Sequence, residues 1–330
     1  MSVPLSDLAI LQYVTNEYRM FYEQNVQNFL ADMLAPRVGV DKDQGKWFED
    51  DDSGNLFTDA RRAPGAPAGE VTSGVIDGVS YQTQDYTLKE KVTDEDLRKA
   101  RTEFGLDVYQ MKAQKLATRG LIQNDRRVIA LYRSLNWETW AYDATLGVYE
   151  SYGNQVSTLT GVNRWDSTSA DPFGNIETAK EWFAENTVIE PNVIIIPDVV
   201  GYKLRETTAW KAEYGTRDLF AETGPEAVTM IRGLKPLIAK AKFKSTIGGA
   251  WVPFMGTDCW IGRVEPYSAQ YKGLAVRPTL NGGKQGITVW RDGAQDTNTA
   301  YVQAHYGEDD VIQTKSGGSE SGYLLRTVIS

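Results

Sequence analysis

Histidine and cysteine each occur once in the 330 residues, as His305 and Cys259. A lone cysteine excludes an intrachain disulfide and a Cys-rich zinc site, and a lone histidine excludes a His-rich metal site. His305 lies in "AYVQAHYG" and reads as a sheet residue rather than the base of a Ser-His-Asp relay. Cys259 stands beside Trp260 in an apolar segment and reads as a small buried hydrophobe. No apolar run approaches the roughly 18 residues of a membrane span, and "MSVPLSDLAILQYV" lacks the basic start of a signal peptide, so the expectation is a chain made and folded in a cytoplasm without a membrane partner. Neither end carries a block of Lys or Arg, and the formal net charge is -9. That balance argues against a chain whose main task is gripping nucleic acid.

What is present is enough for one large or two ordinary domains with a real core. Hydrophobic residues make up 41% and charged residues 24%, near globular averages, so wholesale disorder is excluded. Nine Trp and seventeen Tyr supply amphipathic rings suited to interfaces.

Along the chain, Tyr18, Tyr22, Val26, Phe29 and Met33 recur at helical spacing and predict a first helix over 16–34, ended by Pro36. "RVGVDKDQGKWFEDDD" predicts two short strands and a turn. Residues 49–88 are polar and rich in Gly, Pro, Ala and Asp, and a stretch of this length in a compact domain is usually functional. An extended hairpin leaving the body of the protein would account for it. Thr93 and the acids after it predict a short helix, followed by a long one from about Leu106 to Leu135. That helix carries an apolar stripe through Tyr109, Ala113, Leu116, Gly120, Val128, Leu131 and Leu135, and a basic stripe of Lys112, Lys115, Arg119, Arg126 and Arg133. Further helices are predicted over 174–186, 198–206 and 224–234, with "NVIIIP" a buried strand. From Cys259 onward the chain reads as mostly β, with strands in "GITVW", "AYVQAHYG" and "SGYLLRTVI".

Other motifs have plain readings. Asp41, Asp43 and Asp52 have the outline of a calcium loop, but the glycine is one place early and the closing Glu is missing, so a strand turn is preferred. "NGGKQG" lacks the spaced first glycine and the following Ser/Thr of a phosphate loop. Glu177 and Glu181 lie four apart on one helical face, as solvated carboxylates commonly do. The basic stripe has two readings: a solvated amphipathic face, or a surface facing something acidic such as DNA or an acidic protein.

The order of these elements resembles one family. "WFEDDD", "RRAPGAPAGEV", "YTLKEKVTDEDLRKA", the basic helix over 106–135 and "VIEPNVIIIPDVVGYKLRE" follow one another as in the major capsid proteins of tailed bacteriophages. The resemblance implies an α+β Hong Kong 97-type fold with an N-arm and first strands over 1–49, an extended E-loop hairpin over 50–88, and a peripheral (P) domain with the spine helix over 89–135. An axial (A) domain over 136–258 and a return to the P-domain β region over 259–330 complete it. It implies a non-enzymatic protein without cofactor or metal that builds hexamers, pentamers and an icosahedral virion shell around double-stranded DNA, assembled in a bacterial cytoplasm and expanding on maturation. Implied intersubunit residues are Phe57, Arg61, Arg62, Pro64 and Pro67 in the E-loop and Tyr13, Tyr18 and Tyr22 in the N-arm. Lys112, Lys115, Arg119, Arg126 and Arg133 would face the lumen or a scaffold. Partners would be other copies of the chain, a scaffolding protein and a portal, packaged DNA and a decoration protein.

Two departures shape the expectation. Some relatives weld their shells through an E-loop lysine and a neighbour's asparagine, but residues 49–88 contain no lysine, and Lys46 and Lys89 only flank them. The N-arm begins without the long helical scaffolding segment of some relatives, which points to a separate scaffolding protein. The rival readings are an encapsulin-type nanocompartment, which shares the fold, and a carbohydrate-binding β-rich protein using its Trp and Tyr as platforms.

Overall fold

A computed structural model of the chain describes residues 5–25, 29–48, 78–99, 107–133, 139–143, 148–151, 154–167, 169–187, 190–221, 224, 226–244, 246, 248–265, 274–280, 286–291, 299–313 and 322–329. Helix α1 (Leu5–Asn25) buries Val14, Tyr18 and Tyr22, four residues apart on one face. Helix α2 (Ala31–Leu34) is a separate single turn, so the one helix predicted over 16–34 begins earlier and is broken. Its two halves serve different cores: Tyr18 and Tyr22 pack with the first half of the long helix, whereas Leu30, Ala31 and Leu34 pack with its last turns.

Strands β1 (Arg37–Val40) and β2 (Gln44–Phe48) flank the turn at Asp41 and Asp43 but pair elsewhere. Strand β3 (Gly78–Gln82) pairs with β2, and β4 (Gln84–Thr93) leads into α3 (Asp94–Lys99), where the Thr93 hydroxyl accepts the Asp96 amide at 3.1 Å. The long helix α4 (Val108–Tyr132) begins on Asp107, whose Oδ1 accepts the amides of Tyr109 and Gln110 at 2.9 and 3.3 Å. Strands β5 (Thr139–Asp143), β6 (Val148–Ser151) and β7 (Asn154–Thr158) precede α5 (Pro172–Asn186), which Asp171 caps through the Gly174 amide at 2.9 Å, with Pro172 at its first turn.

Strand β8 (Val193–Pro197) is buried throughout and runs into α6 (Asp198–Glu206) and α7 (Thr208–Tyr214). The remaining elements are β9 (Lys235–Ala239), β10 (Lys242–Phe243), β11 (Val252–Pro253), β12 (Cys259–Gly262), β13 (Ala275–Leu280), β14 (Gly286–Arg291), β15 (Thr299–Asp309), β16 (Ile312–Gln313) and β17 (Gly322–Arg326). The helix predicted over 224–234 is absent among the described residues. Val228 instead donates to the Asp218 carbonyl, and Ile231 and Leu234 exchange backbone hydrogen bonds around Arg232 and Gly233, both at positive φ. The β-branched Val228, Thr229 and Ile231 favour that extended path.

Two sheets organise the chain. A six-stranded sheet has the order β1-β13-β15-β14, with β16 added to β13 and β4 to β15. The first half of α4 packs on it together with α1, enclosing Leu116, Val92, Val302 and Ala304. A five-stranded sheet has the order β7-β17-β12-β8-β9. Its strands alternate between two cores as the pleat requires: Ile194, Ile196, Cys259, Ile261, Tyr323 and Leu325 face the helices α5 to α7, whereas Val193, Ile195, Trp260 and Leu324 face α2 and the end of α4. The boundary expected at 258/259 therefore does not separate the sheets. Residues 259–262 and 322–326 hydrogen-bond between 193–197 and 154–158, in the middle of the sheet expected to end at 258.

Candidate interface surface

The predicted intersubunit residues fall into three groups. Phe57, Arg61, Arg62, Pro64 and Pro67 lie outside the described residues. The antiparallel ribbon of β2 and β3 holds the two ends of the segment that contains them. Of the N-arm tyrosines, only Tyr13 is open to solvent, at 40%. Tyr18 and Tyr22 are corrections: both are buried, their rings stack at 6.1 Å, and the Tyr22 hydroxyl accepts Arg37 Nη2 at 3.0 Å. They are core residues of the α1–α4 contact because that contact takes every fourth residue of α1.

The basic stripe of α4 is engaged within the chain. Lys112, Lys115 and Arg119 occupy one face of α4 and converge on Glu90 of β4, each placing a nitrogen 2.9 Å from its carboxylate. Glu90 is only 8% exposed. Burial acts to raise its carboxyl, and the hydrogen bonds and charges of Lys112 and Lys115 outweigh that effect and hold it below the usual glutamate range. Arg133 places Nη2 at 2.8 Å and Nε at 3.0 Å from Asp258 Oδ2, and Nη1 at 2.6 Å from the Phe254 carbonyl. The other Asp258 oxygen accepts the Thr327 amide. Arg126 differs: it is exposed, lies over the Phe243 ring at 5.8 Å, and has no carboxylate partner among the described residues.

A second set of charges was not foreseen. Arg277 of β13 is fully buried and reaches Asp32 of α2, the Ala35 carbonyl at 3.1 Å and, at 3.8 Å, Asp309 of β15. Asp309 also accepts Arg127 Nη1 at 2.6 Å, and Arg127 in turn donates to Asn124 and lies 3.8 Å over the Tyr86 ring. The chain Asp32–Arg277–Asp309–Arg127 thus ties α2, β13, β15 and α4 together. A lone arginine inside the apolar run "AVRPTL" is the one local signal that could have pointed to it.

The other motifs keep their plain readings. His305 sits in β15 with Nδ1 2.7 Å from Asp85 of β4. Cys259 is fully buried, and burial pushes its thiol well above the ordinary range. Glu177 pairs with Lys180 at 3.2 Å, while Glu181 is exposed. Among the described residues no His, Cys, Asp and Glu cluster could hold a metal, and no helix is long and apolar enough to cross a membrane.

No protein-family model matches the chain, and no curated protein matches its sequence. Solved structures do match its fold. A phage-related protein from Bordetella bronchiseptica RB50 is similar with a TM-score of 0.61 at 18% identity, covering 96% of this chain and 97% of that one. The mature capsid protein of bacteriophage PhiM1 gives 0.57 at 11% identity, covering 89% and 86%. The capsid protein of cyanophage P-SCSP1u gives 0.54 at 13%, covering 90% and 87%. The chain has the fold of phage capsid proteins. The α+β fold class expected from the order of the sequence motifs is the one observed, and within this capsid fold the basic face of α4 is bound largely to the chain's own carboxylates.

Proposed function

We propose that the chain is the major capsid protein of a tailed bacteriophage, a structural protein that assembles through hexamers and pentamers into an icosahedral shell around double-stranded DNA. The observation that carries this reading is a capsid fold shared over 96% of the chain with one phage-related structure and 90% with a cyanophage capsid. The chain would act through interfaces rather than a reacting group. Residues 50–88, held at their base by β2 and β3, would serve as the E-loop over a neighbouring subunit, with 1–49 as the N-arm. The six-stranded sheet with α4 would form the P-domain, and the five-stranded sheet with α5 to α7 the A-domain. A separate scaffolding protein and a portal would guide a precursor shell that expands as DNA enters, and a decoration protein would join the mature surface.

The basic stripe has a narrower part in this reading than its sequence suggests. Lys112, Lys115 and Arg119 hold Glu90, which leaves Arg126 as the cation most available to a lumenal partner. Arg126→Glu is therefore expected to lower genome or scaffold content of particles without unfolding the subunit, whereas Arg119→Glu would disturb the fold itself.

Light scattering and negative-stain microscopy on the purified chain, alone and coexpressed with its genomic neighbours, test the reading. Closed shells or capsomer rings containing nucleic acid are expected. A monodisperse monomer under every condition would overturn it, and shells filled with protein cargo would replace the virion with a nanocompartment.

A further inference from the structure

Helices α6 and α7 and the turn after α7 border an open cleft of about 650 Å³ that a purely structural role leaves without a task. Tyr202, Arg205 and Glu206 line it from α6, where spacings of three and four residues put them on one face. Trp210, which is buried, and Lys211 line it from α7. Gly215 then turns the chain at a φ of 61°, and Thr216 and Arg217 complete the same lining.

The lining is rich in hydrogen-bond donors. Lys211 and Arg217 are exposed, and neither has a carboxylate partner among the described residues. Arg205 joins them in the lining while pairing with Asp218 at 3.0 Å. Among the described residues Glu206 is the one carboxylate of the lining, and Lys203, which does not line the cleft, holds it at 2.9 Å. Two carbonyls at the end of α7 are already occupied, because the Gly215 and Arg217 amides donate to Lys211 and Tyr214 at 3.1 Å. Tyr202 adds a different feature: its ring meets that of Phe220 with centroids 4.4 Å apart, yet the residue is 58% exposed. Guanidinium and ammonium groups take up phosphate, an open aromatic ring takes up a base by stacking, and the volume lies in the range of small-molecule sites.

We propose that the α6–α7 cleft binds a nucleotide, its phosphates held by Lys211 and Arg217 with Arg205 beside them, and its base against Tyr202. The pairing of an open ring with free cations in one cleft is what favours a nucleotide over a carboxylate-bearing peptide. A nucleotide reaches the cleft either free or as a unit of a single-stranded nucleic acid. The cleft lies within one subunit, so the inference goes beyond the shell function and does not depend on it.

Calorimetric titration of dissociated subunits at about 0.05 M salt, where screening is weak, tests it. ADP and a short oligothymidylate are the ligands, with pyrophosphate, adenosine and oligoaspartate as comparison probes. Saturable binding of ADP or the oligothymidylate is expected, the tighter of the two naming the source, and adenosine and pyrophosphate should each bind more weakly. Lys211→Ala and Arg217→Ala should each weaken binding about tenfold, the size of one lost charged hydrogen bond. Tyr202→Ala should weaken ADP and leave the pyrophosphate affinity unchanged. All three positions are exposed, so the unfolding midpoints should match that of the parent chain, and Lys244→Ala, an exposed cation outside the cleft, should leave binding unchanged. No saturable binding of either ligand, equal losses from Lys244→Ala, or oligoaspartate bound as tightly as oligothymidylate would overturn the site and leave the shell function standing.

Discussion

Raising the pH from 5 to 8 should weaken the folded subunit through a single carboxyl group. Asp125 lies in the second half of α4, wholly buried, with Oδ1 accepting the Ala31 amide at 2.7 Å and the Leu30 amide beside it. It caps α2 from across the core, while its Oδ2 has no hydrogen-bond partner among the described residues. Burial outweighs the two amide bonds and pushes the carboxyl up from 3.8 to about 7. The folded chain then keeps a proton that the unfolded chain has released, so this stability is fully present below pH 3.8, declines as the pH rises, and is lost as the pH passes about 7.

At about 1.4 kcal/mol per unit of differential titration, the loss between pH 5 and 8 is about 3 kcal/mol. Asp125→Asn imitates the protonated side chain and keeps an oxygen for the two amides. Urea unfolding of dissociated subunits, followed by Trp fluorescence, is the assay. The wild-type free energy is expected to fall by about 3 kcal/mol over this range and that of the variant to stay flat, with equal urea slopes. The Glu90 shift lies below 4.5 and leaves this window undisturbed. Equal wild-type stability at pH 5 and 8, or a parallel decline in the variant, would refute the reasoning.

Three further outcomes follow from the same geometry. Glu90→Gln leaves Lys112, Lys115 and Arg119 crowded without their carboxylate, and should cost about 3 kcal/mol at pH 7, the low end for a broken buried pair because the cations are partly exposed. Since the Glu90 carboxyl is held low, that difference should shrink as the pH falls below 4.5, and urea melts at pH 7 and 3.5 check it. Cys259 should resist a thiol reagent in the native subunit and react fully in denaturant, and rapid native labelling would contradict its burial. Assembled particles should run as monomer in denaturing mass measurement, since residues 49–88 hold no lysine, and a covalent ladder would count against this.

Much of the fold was legible where the signal is local. The caps at Thr93, Asp107 and Asp171 act within three residues, and each starts its helix close to the predicted place. The run "VIIIP" announces a strand with both faces covered, and both are. The failures occur where distant partners decide. Nothing near residues 224–234 reveals that Asp218 will take the Val228 amide and draw the segment out of a helix. Tyr18 and Tyr22 look like interface aromatics until α4 covers them. The five cations on α4 look like one surface, yet the residues that bind four of them, Glu90 and Asp258, come from a strand before the helix and a loop far after it.

The charge arrangement explains how an acidic chain can carry so basic a helix. Glu90 takes three cations and Asp258 one, and Arg127 with the buried Arg277 closes on Asp309, so the helix's positive charge is offset where it meets the sheets. What remains for the surface of a chain with net charge -9 is mostly negative, which would suit the proposed role of a wall that encloses a polyanion without binding it tightly. The same pairs join α2, α4, β4, β13 and β15 into one body, because each salt bridge crosses between elements. In the shell proposed above, contacts between copies would then come from outside this body, where the β9 edge of the five-stranded sheet pairs only with β8 among the described residues.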